Sequence, residues 1–452
     1  MSTRTWRNRF AGVALLTLAT ATPAFGQDLA EVWQLALQRD PAYASIQAGR
    51  EAEQEIVPQA RARLLPYIMA NAGAEVDNSR RRRDFSDSRT QQRALWSLTL
   101  SQPIVDISAW NALERAQYIA AAADVAQAQG FQNLILQVAH AYFEVLTAQD
   151  TLRALRAEKL AIESQLQAAQ HSFELGSTSI TDTHEAQARL DLLAASEFDA
   201  INTLQVSNDI LASLIYQQPE TLAALPAGIN LPAPEPNRLD NWVEQATQAN
   251  LGVVRAHIES QVVEKQVDIA KSEHYPRLQL QAQTGSASDR GMRGPRPDPG
   301  PRSIDSSVGL VLSIPLFTGG ELSSVVREQS SRLQQVRYEL EAARRNARQS
   351  TQQYFSGVTS GLARVKALEA AERSSRSALE ANQLAYEVGV RINIDVLNAQ
   401  RQLYETQRQL SRARYETLMD SLRLKASSGT LNELDIMAVN ALLTELKPEQ
   451  MP

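Results

Sequence analysis

The chain has no cysteine, which excludes disulfides, thiol chemistry and a lipid anchor on a cysteine behind a leader. Aromatic residues make up 6% of it, against 43% hydrophobic residues in all. So few large rings point to helices packed through small side chains. Beyond the N-terminus no run approaches the roughly 20 apolar residues that a membrane-spanning helix requires. Proline is absent between Pro103 and Pro219, and again between Pro315 and Pro448. Because proline ends helices, those gaps permit very long ones. The five histidines, His140, His171, His184, His257 and His274, include no pair at metal-ligand spacing. There is no phosphate-cradling glycine loop and no nucleophile elbow. No catalytic, cofactor-binding or metal site is expected, and the chain does not read as an enzyme.

The chain begins with Arg4, Arg7 and Arg9, an apolar run from Phe10 to Ala21, and the small residues Ala24 and Gly26. That order is a secretory signal peptide, residues 1–26, with the mature chain starting near Gln27. Without those three arginines the 45 basic residues fall to 42 against 51 acidic, a net charge of −9. That balance is unsuited to nucleic acid.

With 452 residues, two or three domains or one fold built from repeats is expected. Repeats are visible. Phe173-Glu174-Leu175-Gly176 returns as Tyr386-Glu387-Val388-Gly389, 213 residues on, and Asp182 returns as Asp395 at the same offset. Tyr142-Phe143 returns as Tyr354-Phe355, and Leu65-Pro66 as Tyr275-Pro276. The chain divides into a first repeat, 28–218, a Pro-rich linker, 219–238, a second repeat, 239–430, and a C-terminal segment, 431–452.

Leu134, Val138, Ala141, Val145, Ala148, Leu152 and Leu155 alternate steps of four and three, as do Leu333, Val336, Leu340, Ala343 and Ala347. Sustained spacing of this kind is a coiled-coil seam. It predicts long helices over 107–173 and 320–386, shorter ones over 182–216 and 393–427, and half-length ones over 29–63 and 240–274. The carboxylates are expected on solvated helix faces.

Four stretches alternate with period two: 66–77, 94–104, 277–286 and 305–316. Each carries one apolar face, such as Ile68, Ala70, Ala72, Ala74 and Val76. About ten residues is the membrane-crossing length of a tilted strand. The competing reading is a β-hairpin packed on helices. Residues 78–93, with Arg80 to Arg83, and 285–304 are expected as outward loops. Four strands cannot close a barrel, and open edges are not tolerated in lipid. The chain must therefore oligomerise, and three copies would supply 12 strands.

With this plan, and with Tyr386-Glu387-Val388-Gly389-Val390-Arg391-Ile392-Asn393-Ile394-Asp395-Val396-Leu397-Asn398 as its most specific motif, the mature chain resembles the TolC family of outer-membrane factors over nearly its whole length. The resemblance implies a mainly α fold with a transmembrane β part. This is a trimeric channel-tunnel with a 12-stranded β-barrel, four strands per chain, in the outer membrane. A coiled-coil α-barrel extends from it into the periplasm. The linker and C-terminus would form an equatorial belt. It implies an exit duct for proteins or small molecules, surrounded by outer-membrane lipid. The homotrimer would work with a periplasmic adaptor and an inner-membrane ABC or RND transporter, with no cofactor and no nucleic acid. It also implies a periplasmic gate in which Tyr386 and Arg391 hold Thr181 and Asp182, and an aperture lined by Asp395. Asn398 stands where a second aspartate is expected, so one acidic ring remains. Asp395 and Asn398, three apart, share one helix face. A helix-end acid favoured by the dipole is the other reading of Asp395. The alternative for the whole chain is a structural coiled-coil protein of the envelope, a stalk or adhesin.

Overall fold

The computed structural model describes residues 27–80, 88–176, 179–219, 221–293 and 296–443. Residues 1–26, expected as a signal peptide, Arg81 to Arg83, and the segment after 443 lie outside the described residues. The chain opens with three short helices, α1 (Leu29–Arg39), α2 (Pro41–Gln54) and α3 (Ile56–Ala62). A hairpin of β1 (Tyr67–Arg80) and β2 (Ser88–Val105) leads into α4 (Ile107–Glu174) and α5 (Ile180–Ile215). The plan then recurs as α6 (Leu239–Ala249), α7 (Leu251–Ser272), β3 (Arg277–Arg293), β4 (Arg296–Ser313), α8 (Glu321–Glu387) and α9 (Asn393–Ser427). A last helix, α10 (Glu433–Asn440), follows. At about 1.5 Å per residue the 68-residue α4 and 67-residue α8 are each about 100 Å long.

The predicted seam is the core. Leu134, Val138, Ala141, Val145, Ala148, Leu152 and Leu155 of α4 are all buried, and so are Leu340 and Ala347 of α8. Two clusters divide the α4 seam. The larger joins α1, the middle of α4, the end of α5, linker residues Leu222 to Ala224, α9 and α10. At its centre the buried Tyr142 hydroxyl lies 2.7 Å from the carbonyl of Ala223 and 3.2 Å from that of Gln27, tying linker and N-terminus to α4. The second holds Leu155, Ile162 and Leu166 against Ala186 and Leu193 of α5 and Leu397 of α9.

Three expectations are corrected. The helices expected over 29–63 and 240–274 are broken. Asp40 accepts from Tyr43 N at 2.6 Å and starts α2, and Asn250 accepts from Gly252 N at 2.9 Å and starts α7. The two caps lie 210 residues apart, so the repeat extends to its breaks. The expected loops 78–93 and 285–304 are mostly strand, leaving 81–87 and 294–295 between strands. An antiparallel ladder satisfies backbone groups whatever the side chains, so it continues where the apolar alternation fades. Pro297, Pro299 and Pro301 are tolerated because β4 is an edge strand. Pro297 and Pro299, spaced by two, have their missing N–H groups on one side of it. Finally, not every carboxylate is solvated: Glu158 of α4 is 2% exposed.

The sheet runs β1-β2-β3-β4, antiparallel throughout. Its register aligns Ile68, Leu100, Ala282 and Val308 on one face, beside Ala70, Leu98, Leu280 and Leu310. The other face carries Asn71, Ser97, Thr99, Gln281, Gln283 and Ser307. Val308 is 77% exposed and Leu310 65%, so no helix covers the apolar face. That removes the reading of a hairpin packed on helices. Among the described residues no helix is long and apolar enough to cross a membrane. The outer edges of β1 and β4 stay unpaired within the protomer. In lipid those edges must pair with other copies.

Candidate functional site: the tunnel tip

Each long helix ends in the same turn. Gly176 after α4 and Gly389 after α8 have φ of 73° and 79°, the left-handed conformation that closes a helix and that glycine adopts without strain. Behind Gly389 the N–H groups of Val390 and Arg391 both return to the carbonyl of Ala385, at 2.8 and 3.1 Å. At the first turn Ser179 caps α5 by accepting from Thr181 N at 3.3 Å. These turns bring the starts of α5 and α9 together beside the end of α4.

The contact between them is made by Asn393, fully buried at the start of α9. Its Oδ1 accepts from Gln165 Nε2 of α4 at 2.6 Å, and its Nδ2 donates to the carbonyl of Asp182 of α5 at 3.3 Å. Val396 and Leu397, also fully buried, seat the same face of α9. The sequence reading missed both Asn393 and Gln165. The only signal was a polar residue opening an apolar helical pattern.

Of the expected gate residues, Thr181 is exposed and its hydroxyl meets Ser179 Oγ at 2.8 Å within its own turn. Asp182 is half-buried. Tyr386, also half-buried, has its hydroxyl pushed above the ordinary phenol range by burial and then by the negative charge of Asp182. Arg391 reaches Asp395 one turn along α9, at 3.3 Å, and not Thr181 or Asp182 of its own protomer. This exposed pair contributes little to stability, since water screens it. Asn398 accepts from Arg189 Nη2 of α5 at 3.0 Å, a contact the sequence did not suggest. Arg391, Asp395 and Asn398 share one groove between α8 and α9 with Ser374, Asn382 and Gln402. The structure thus brings Arg391 together with the two aperture residues, and leaves Thr181 on the other hairpin. Among the described residues no group of acids and histidines could hold a metal ion.

The family model of the outer membrane efflux protein matches residues 32–215 and 242–430, one match in each half of the chain. The chain is 35% identical over 442 residues to the outer membrane protein TolC of Vibrio cholerae, covering 97% of this chain and 98% of the relative. It is 29% identical to the alkaline protease secretion protein AprF of Pseudomonas aeruginosa, covering 92% and 88%. The fold matches the outer-membrane channel OprN with a TM-score of 0.77 at 18% identity, covering 94% of this chain and 98% of that one. The uncovered apolar sheet face, the unpaired edges and the long paired helices are therefore those of a trimeric channel-tunnel. The chain belongs to the outer membrane efflux protein family.

Proposed function

We propose that this exit duct is shut at its periplasmic tip and is opened there by a periplasmic adaptor coupled to an inner-membrane ABC or RND transporter. As a family member the chain is an outer-membrane channel for secretion or efflux, with its helical tunnel in the periplasm, and it is not an enzyme. The observation that carries the proposal is the tip itself. At the tip of one protomer α9 is held to α4 and α5 by the two hydrogen bonds of Asn393, the Arg189–Asn398 hydrogen bond and the small apolar contact around Leu397.

In a closed trimer Arg391 faces the neighbouring copy's first hairpin, whose Thr181 and Asp182 supply a hydroxyl and a carboxylate, while Tyr386 lies near Asp182 on the neighbouring helix of its own protomer. Arg391 is available because its pair with Asp395 is exposed and cheaply exchanged. A charge-assisted bond of this kind is worth about 1.5–3 kcal/mol when partly shielded. Three symmetric copies hold the tip shut, yet a docked partner can exchange them. Asp395, repeated threefold, forms a carboxylate ring that favours cations, and Asn398 adds a neutral second ring. The two repeats, 28–218 and 239–430, act as the units that move, belted by the linker and by the described C-terminal residues 431–443. A photo-crosslinker in place of exposed Gln187 on α5 should capture a periplasmic adaptor in cells. A tip that captures only other copies of this chain would contradict the coupling. Deleting the gene should lower export of a secreted protein or raise sensitivity to small toxic molecules. A strain unchanged in both respects would favour the envelope stalk.

A further inference from the structure

The second cluster, between tip and belt, contains a charge that apolar packing does not require. Glu158 of α4 is 2% exposed, and its Oε2 lies 3.0 Å from Nη1 of Arg408 on α9. Arg408 also holds Glu405 of its own helix at 2.6 Å. The other charged or titratable groups facing Glu158 are Tyr404 of α9 and Arg189 of α5. The neighbouring cations on α4, Arg156 and Lys159, are both engaged by Glu197 of α5. Glu158 therefore sits at the seam where the first hairpin, α4–α5, meets the second, α8–α9. It depends on a single cation from across that seam. Burial pushes its carboxyl above the ordinary glutamate range, and the Arg408 guanidinium only partly offsets this.

We propose that Glu158 is a proton-sensitive brake on tip opening: when acid neutralises it, α9 stays seated on α4 and the duct remains shut. The inference rests on the tip-opening reading above, because opening must shift α8–α9 against α4–α5. Such a shift parts Glu158 from its burial and admits water to it. The carboxyl then returns to its ordinary range, so the closed state binds the proton more tightly than the open one. By linkage, falling pH favours the closed state, and rising pH through the same window favours the open one. The periplasm follows the external pH, so the duct would close when the surroundings turn acid.

The absence of native cysteine makes the test direct. A spin label on Glu387→Cys, exposed beside the tip turn, reports distances between the three copies. In the otherwise native trimer the population with a wide tip should shrink by several-fold as the pH is lowered from neutral into the acid range, because burial holds the Glu158 carboxyl above its ordinary range. Glu158→Gln, neutral at every pH, should show the narrow acid population already at neutral pH. Arg408→Gln removes the offsetting cation and should move the transition to higher pH, a change that mere loss of packing would not produce. If Glu158→Gln does not assemble, the Arg408→Gln shift alone decides. A native tip that ignores pH, or one whose response is unchanged in the assembled variants, overturns the proposal. Tyr386→Phe with Arg391→Ser on the same label separates the two readings. If that variant widens the tip while pH does not act through Glu158, only the brake fails. If it does not widen, the gate fails first.

Discussion

Asn393 of α9 donates a hydrogen bond to the backbone carbonyl of Asp182 at the start of α5, across 211 residues of sequence. The same amide accepts from Gln165, so one buried side chain joins three helices of both repeats. Asn393→Ala removes both hydrogen bonds that join α9 to α4 and α5, each contributing about 0.5–1.5 kcal/mol. We expect the trimer to form and the tip to loosen, seen as protease cleavage near residue 180 that the native protein resists. Unchanged cleavage would remove Asn393 from the closed state.

Gly357 and Gly361 let α8 approach α9. A Cβ at Gly361 would stand 2.5 Å from Thr417 Oγ1, and one at Gly357 would stand 2.5 Å from Asp420 Oδ2. Gly361→Leu should destabilise by about 1–3 kcal/mol or more through overpacking, lowering the melting temperature of the purified trimer. The same change at Gly309 of β4, where nothing lies within 4 Å, should be far milder.

Tyr142→Phe removes the hydroxyl serving the carbonyls of Ala223 and Gln27. The loss should be about 1–3 kcal/mol, because the buried carbonyl of Ala223 loses its donor, while that of Gln27 keeps the Ala223 N–H. It should be read first in hydrogen exchange of the linker around Leu222, not at the tip.

The two faces of the sheet make opposite predictions at one depth. Leu310→Arg places a charge on the lipid face and should cost about 2–4 kcal/mol near mid-membrane, cutting the yield of heat-labile trimers in the outer membrane. Gln281→Arg, on the polar face at the adjacent register position, should assemble normally and alter ion selectivity. Equal yields would mean that the face assignment is wrong.

Much of this architecture was legible because it is local or periodic. The seam residues from Leu134 to Leu155 announce themselves by spacing, and Gly176 and Gly389 mark their turns by recurring 213 residues apart. The breaks at Asp40 and Asn250 were visible as capping residues but submerged in a continuing helical pattern. Asn432, whose side chain and that of Asp435 cap α10 reciprocally, was a similar local sign. The strand tips escaped because alternation of side chains fades while the backbone ladder continues. The tip was legible only in outline. The Arg391–Asp395 pair follows from a spacing of four. The partners of Asn393 and Glu158 lie 228 and 250 residues away and belong to the packing of one repeat on the other.

The central claim is that the protein is a duct closed at its tip by Tyr386 and Arg391. Single-channel recording of purified trimers in a planar bilayer tests it most directly. The native protein should conduct weakly, and Tyr386→Phe with Arg391→Ser should conduct several-fold more while the trimer melts at the same temperature. A double variant that conducts like the native protein, with its trimer equally stable, would contradict the account.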